Sequence, residues 1–170
     1  MALHGKNRFI ILTLMLEKQY QDHFSRQRSL YYPRHANYLD AHLTLFHRLP
    51  FETGMLPQLE AFARRPAIVL QVSGIENMGN GVAYTIVSEE LLQLHKTMQA
   101  TWAQGLMARD RQPLWPHITV QHGVTAFKAA RLTAALQSTF RPFGMKGTGL
   151  CAWHYLQGRW EAAAAYPFSG

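Results

Sequence analysis

The sequence predicts an α+β fold made of two duplicated lobes in one domain, residues 1–170. Three observations carry this. His42-Leu43-Thr44-Leu45 and His117-Ile118-Thr119-Val120 are one pattern written twice, 75 residues apart. Each copy sits in the same order of segments: strand, helix, motif strand, helix, strand. Asn80-Gly81, a dipeptide suited to the tight turn of a β-hairpin, stands where one half passes into the other. Repeated segments of this kind bury one face of a sheet against helices. The lobes fall at about 8–76 and 82–166.

The first half opens on Phe9–Leu16, an apolar run of strand length. Residues 17 to about 30 read as a helix with Tyr20 and Phe24 four apart on one face. Tyr32-Pro33 ends it, because a proline disfavours helical backbone in the residue before it. Residues 41–48 form the first motif strand, stopped by Pro50. Residues 52–65 read as a helix with Met55, Leu59 and Phe62 on one side, and Arg64-Arg65 suits its C-terminal dipole. Residues 67–72 are β-like.

The second half begins with residues 82–87, the return strand of the hairpin. Ser88 followed by Glu89-Glu90 is an N-cap with acids in the first turn. That helix is expected to run to about Arg109, with Leu91, His95, Met98 and Trp102 at helical spacing. Pro113 and Pro116 lead into the second motif strand, His117 to about Gly123. Thr125 caps a helix through Phe140, with Leu132 and Leu136 inward. Strands at residues 149–156 and 159–166 close the chain through Gln157-Gly158. The 75-residue offset carries Leu12 onto Val87 and the helix around Phe62 onto that around Leu136.

Composition narrows the function. Apolar residues make up 48%, enough for a core and too many for a disordered chain. Lys and Arg total 17 against 10 Asp and Glu, a balance of +7 that favours polyanionic partners. Between Asp22 and Asp40 there is no acid; Arg26, Arg28 and Arg34 stand there with Tyr31 and Tyr32. Such a stretch contacts phosphates and stacks bases, or is a solvated helix end and loop. Cys151 is the only cysteine, which fits a reducing, cytoplasmic setting. Lys6 and Arg8 before the first apolar run have the outline of a signal peptide, but Glu17-Lys18 follows with no small-residue cleavage site. No apolar stretch approaches the roughly 20 residues that span a bilayer. A monomer with no membrane partner is expected.

The motifs carry the chemistry. Side chains alternate along a strand, so His42 and Thr44 share one face while Leu43 and Leu45 share the other; His117 and Thr119 do the same. A pseudo-twofold axis would make the two motif strands central neighbours, with two imidazoles and two hydroxyls on one surface. That set suits acid–base chemistry on a phosphate, with the hydroxyls holding its oxygens. Trp115 faces the side of His117, either to stack a base or to seal the core edge. Arg34 and Arg48 are within reach of phosphate or sit in solvent, and Tyr32 stacks on substrate or lies on the surface. Strict alternation puts His47 and His122 on the face opposite the motif histidines, as structural side chains. His4, His23, His35, His95 and His154 belong to no shared motif and default to surface or core. There is no His-Glu-x-x-His, cysteine pair, glycine-rich phosphate loop or nucleophile elbow. Neither metal nor cofactor is expected.

Two H-x-T-x motifs on strands, HLTL followed by FHRLP and PHITV followed by QHGV, resemble the 2H phosphoesterase superfamily. The likeness is to its LigT-like branch of 2′-5′ RNA ligases and 2′,3′-cyclic phosphodiesterases, and extends to the closing GLCAWHYLQGRWEAAAAYPF. It implies a bilobal fold, antiparallel-rich sheets and a central cleft. It implies metal-independent hydrolysis of 2′,3′-cyclic phosphates at RNA ends or on nucleotides, or 2′-5′ joining of RNA ends in the same cleft. A scaffold that binds nucleotide without turnover is the remaining alternative. Carried over by motif, His42, Thr44, His117 and Thr119 are catalytic, with His117 the base and His42 the acid. One departure stands out. The family often has Arg five residues after the second motif histidine, where this chain has His122, a weaker phosphate ligand.

Overall fold

The computed structural model describes residues 9–170; His4, Lys6 and Arg8 lie outside them. Its elements are β1 (Phe9–Leu16), α1 (Lys18–Tyr31), β2 (Leu43–Pro50), α2 (Met55–Phe62), β3 (Ile68–Asn77), β4 (Gly81–Val87), α3 (Glu89–Thr101), β5 (His117–His122), α4 (Ala126–Thr139), β6 (Phe143–Leu156) and β7 (Arg159–Pro167). Short 3-10 turns lie at Arg34–Ala36, Ala103–Gly105 and Ala108–Arg111.

The strands form one seven-stranded sheet in the order β2-β1-β6-β3-β4-β5, with β7 added to β6, and every pairing is antiparallel. Exchanging β1 with β4, β2 with β5 and β3 with β6 turns this order into its own reverse. β6 is long enough to be shared. It pairs with β3 along residues 143–147 and with β7 along 149–156, while β1 occupies its other edge.

The motif strands are therefore not central neighbours. β2 and β5 stand at opposite ends of the strand order, each paired only with the first strand of its own half. The third strands, β3 and β6, take the centre instead. Sheets coil as they twist, and here β2 and β5 come within 8 Å of each other at Cα. The motifs meet across an opening rather than along a ladder of hydrogen bonds.

The core explains why the elements hold. Leu12, Leu43, Phe46, Leu49, Leu70, Val72 and Ile118 are fully buried on the sheet's inner face. Phe24 of α1 packs edge-on against Tyr84 and stacks near Phe143. Phe46 stacks on His95 and meets Trp102 edge-on, joining α3 to β2. The hydroxyl of Ser88 accepts from the Leu91 N–H, as its N-cap position requires. Thr125 does the same for Lys128. Gln157 and Gly158 both take positive φ, 48° and 86°, the geometry of a type I′ hairpin turn.

Two helices are shorter than the periodicity predicts. α2 spans only Met55–Phe62. α3 stops at Thr101, and the chain to Arg111 folds into two 3-10 turns. Gly105, in the first of these turns, lies so close to Pro50 that a Cβ there would meet its ring at 2.7 Å. No helix among the described residues is long and apolar enough to cross a membrane.

Candidate active site

Each motif strand carries a bulge just after its threonine. In β2, Thr44 pairs with Thr13, Phe46 with Leu12 and Leu49 with Ile10, so β2 spends extra residues along this stretch. In β5, Thr119 pairs with Ala83 but Gln121 with Val82, leaving one extra residue at Val120. An extra residue breaks strict alternation. Leu45 and Phe46 are both buried, as are Val120 and Gln121. The residue after each pair returns to the motif face. His47 lines a groove with Thr44 and His117, and His122 is exposed. Placing these two histidines on the opposite face is thus wrong in both halves, for the same reason.

The two motif histidines are held alike. His42 Nδ1 lies 2.9 Å from the Asp40 carbonyl, and His117 Nδ1 lies 2.7 Å from the Trp115 carbonyl. A carbonyl only accepts, so each Nδ1 carries the proton and each Nε2 is left as the chemically available nitrogen. His42 is also clamped by Trp160, 4.6 Å between ring centroids. Trp115 stacks on His117 at 4.1 Å and 19°. Burial pushes the His42 imidazolium down to about 4, against the Asp40 carbonyl, with Arg28, His117 and His47 adding repulsion. His117 is lowered as well, again mainly by burial, with the Trp115 carbonyl opposing and His47 and Arg109 contributing. The charge of His117 is felt at His42, and His47 acts on both rings.

A groove of about 220 Å³ adjoins Thr44 and His117, walled by His47, His95, Arg109, Asp110, Gln112 and Trp115 among others. Asp110 is buried and accepts from the backbone N–H groups of His47 and Arg48, each at 2.9 Å. Its Oδ1 is 3.3 Å from His47 Nδ1. Burial works to raise the Asp110 carboxyl, but the His47 ring and the two backbone donors outweigh it and hold it below the usual carboxylate range. His95 is a core histidine, its Nε2 donating to the Leu45 carbonyl at 2.9 Å beside the Phe46 ring.

Arg28 links α1 to the second motif. It is 4% exposed, donates to the Thr119 carbonyl at 3.2 Å and to Asn37 at 2.9 Å, and lies 4.0 Å over the Tyr32 ring. Tyr32 in turn faces His122 at 6.5 Å. Tyr32 thus lies by the end of β5, whose last residue is His122, and Asn80 lies 3.3 Å from His122 Nε2. Trp115 is 46% exposed at the groove. Arg34 is exposed in its 3-10 turn. Arg48 points its guanidinium at the Phe9 ring, 3.9 Å away, rather than at the motifs.

Sequence reasoning missed Asp110, Trp160 and the placement of His47, and it named Arg28 only within a basic stretch. Asp110 falls just past the expected end of that helix at about Arg109, in a segment with no motif of its own. The spacing His-x-Thr-x-x-His, present in both halves, was the available signal for His47 and His122. Among the described residues, no three His, Cys, Asp or Glu side chains are grouped so as to hold a metal ion.

A family model described as the 2′-5′ RNA ligase superfamily matches residues 16–159. The chain belongs to this superfamily, the LigT-like 2H phosphoesterases. Its kind of activity is that of a phosphoesterase or ligase. No curated protein matches the sequence. Solved structures similar to it include the Thermus thermophilus protein TT0787, at 13% identity and TM-score 0.63, covering 95% of this chain and 98% of that one. E. coli LigT complexed with 3′-AMP has 16% identity and TM-score 0.61, over 97% and 100% of the two chains. E. coli LigT complexed with phosphate has 16% identity and TM-score 0.58, over 98% and 100%. At these identities the likeness shows the fold.

Proposed function

We propose that the chain is a metal-independent phosphodiesterase that opens 2′,3′-cyclic phosphates on RNA ends or nucleotides to 2′-phosphates. The observation that carries this is the matched pair of anchored imidazoles. In both motifs Nδ1 is bound to the carbonyl two residues upstream, which leaves an unencumbered Nε2 at each. Opening the ring requires a base to activate water and an acid to protonate the leaving oxygen. His117, the less depressed of the two, is the better base. His42, pushed to about 4, is the stronger proton donor once charged. A bound phosphate anion would favour that charged state. Thr44 and Thr119, each two residues beyond its histidine, supply hydroxyl donors to the non-bridging oxygens.

Joining RNA ends through a 2′-5′ bond would use the same groups in the same roles, with a 5′-hydroxyl in place of water attacking the cyclic phosphate and the 3′-oxygen leaving as before. E. coli LigT complexed with 3′-AMP and with phosphate supports a nucleotide-sized ligand in this fold. We read the halves at about 8–76 and 82–166 as the lobes flanking the site, in a monomer acting in the cytoplasm. Incubation with a 2′,3′-cyclic nucleotide in EDTA, resolving 2′- from 3′-phosphate, tests the reading. A 2′-phosphate product is expected; absence of turnover on any cyclic phosphate would overturn it.

A further inference from the structure

The groove beside Thr44 and His117 holds a third imidazole that the reaction does not need. We infer that His47, fixed by Asp110, binds a second phosphate of the substrate, so that the site selects nucleotides or oligonucleotides carrying a phosphate besides the reacting one. This rests on the groove being the phosphate site proposed above.

The bulge in β2 brings His47 to the Thr44 face, where it lines the groove together with Thr44 and His117. Asp110 fixes its orientation at Nδ1, and as an imidazolium ion-paired with that carboxylate the ring has an Nε2–H left to donate to an anion. Asp110 receives two backbone N–H groups and this ring, so the one carboxylate in the groove wall is already committed to hydrogen bonds. The other ionisable group on that wall besides the histidines is Arg109, whose charge is felt at His117. A wall with an imidazolium N–H, a guanidinium and an acid already committed to hydrogen bonds suits an anion. Trp115 borders the same groove with one face on His117 and nearly half its surface open, a platform for the base that would carry the extra phosphate. The second half lacks this arrangement. His122, at the matching position, meets Asn80 and Tyr32 instead of a carboxylate, so the two sides of the site are chemically unequal.

The test compares adenosine 2′-monophosphate with adenosine 2′,5′-bisphosphate by calorimetry at neutral pH, which needs no turnover. The wild type is expected to prefer the bisphosphate. His47→Gln should reduce that preference by about tenfold, the scale of a lost hydrogen bond to a charged group, with the loss falling on the bisphosphate more than on the monophosphate. Asp110→Asn should reduce it by a smaller factor. It keeps an acceptor for one of the two backbone N–H groups but loses the charge that orients the ring, and a purely structural role would weaken both ligands alike. An unchanged ratio in His47→Gln, with cyclic phosphate still hydrolysed, would overturn this inference alone. Failure of the wild type both to bind either nucleotide and to turn over cyclic phosphate would overturn the functional reading and this one with it.

Discussion

The pH dependence of catalysis follows from the two imidazoles. In the free chain His42 holds a proton only below about 4, and burial also depresses His117 below the ordinary histidine value of 6.5. The active form has His42 charged and His117 neutral. With the acid having the lower pKa, that form is a minor species at every pH, and its population is greatest between the two values. For kcat/KM, which reports the free enzyme, this predicts a bell. Its acid limb lies near 4 and its basic limb below 6.5, and above the basic limb the rate constant falls about tenfold per pH unit. The profile for kcat should sit at higher pH, because bound phosphate stabilises both imidazolium forms. Removing a repelling charge should move both limbs the same way: His47 lowers both groups, so His47→Gln should shift the kcat/KM bell upward. The assay is initial-rate kinetics on a 2′,3′-cyclic nucleotide from about pH 3.5 to 9 at constant ionic strength. A kcat/KM profile flat through neutrality, or an acid limb above 6.5, would refute the claim that burial and neighbouring charges set these two groups.

Other outcomes test the site and its scaffold. His42→Ala and His117→Ala should each cost about 10²–10⁴ in turnover, with the double mutant far from additive; wild-type activity in the double mutant would remove both from the mechanism. Thr44→Val and Thr119→Val should cost about 1–3 kcal/mol each in kcat/KM. Folding stability should fall as pH drops from 6.5 towards 4. His42 has the lower pKa in the native state, so the unfolded chain takes up its proton first. The loss from this group is at most about 3 kcal/mol, and urea titrations of His42→Ala should show a correspondingly shallower pH slope. Gly81→Ala should destabilise by about 3 kcal/mol, because its Cβ would run into the Gln121 backbone carbonyl across the β4–β5 pairing; an unchanged urea midpoint would contradict that register.

What the sequence shows and hides divides along physical lines. The alternating pattern and the caps made the element order readable, because a buried leucine face and a Ser88 or Thr125 cap are local requirements. The H-x-T pairs were readable for the same reason, since two residues of alternation fix which side chains share a face. Beyond the threonine, alternation fails. A bulge depends on how β1 and β4 run alongside, and nothing within the motif strand announces it. One extra residue moves every later side chain to the other face, which turns His47 from an expected structural residue into a wall of the groove. The strand order was hidden likewise. Duplication implies a symmetry axis but not which strands flank it. Only the pairing of β6 with β1, β3 and β7 puts the third strands at the centre and the motifs at the rims. That placement has a chemical consequence. Two motif strands paired in one ladder would hold their histidines at a fixed strand spacing. At opposite ends of a coiled sheet, their separation is set by curvature and by side-chain ties such as Arg28 to Thr119. The phosphate of the proposed reaction would sit in that opening, between two strands that no ladder of hydrogen bonds joins.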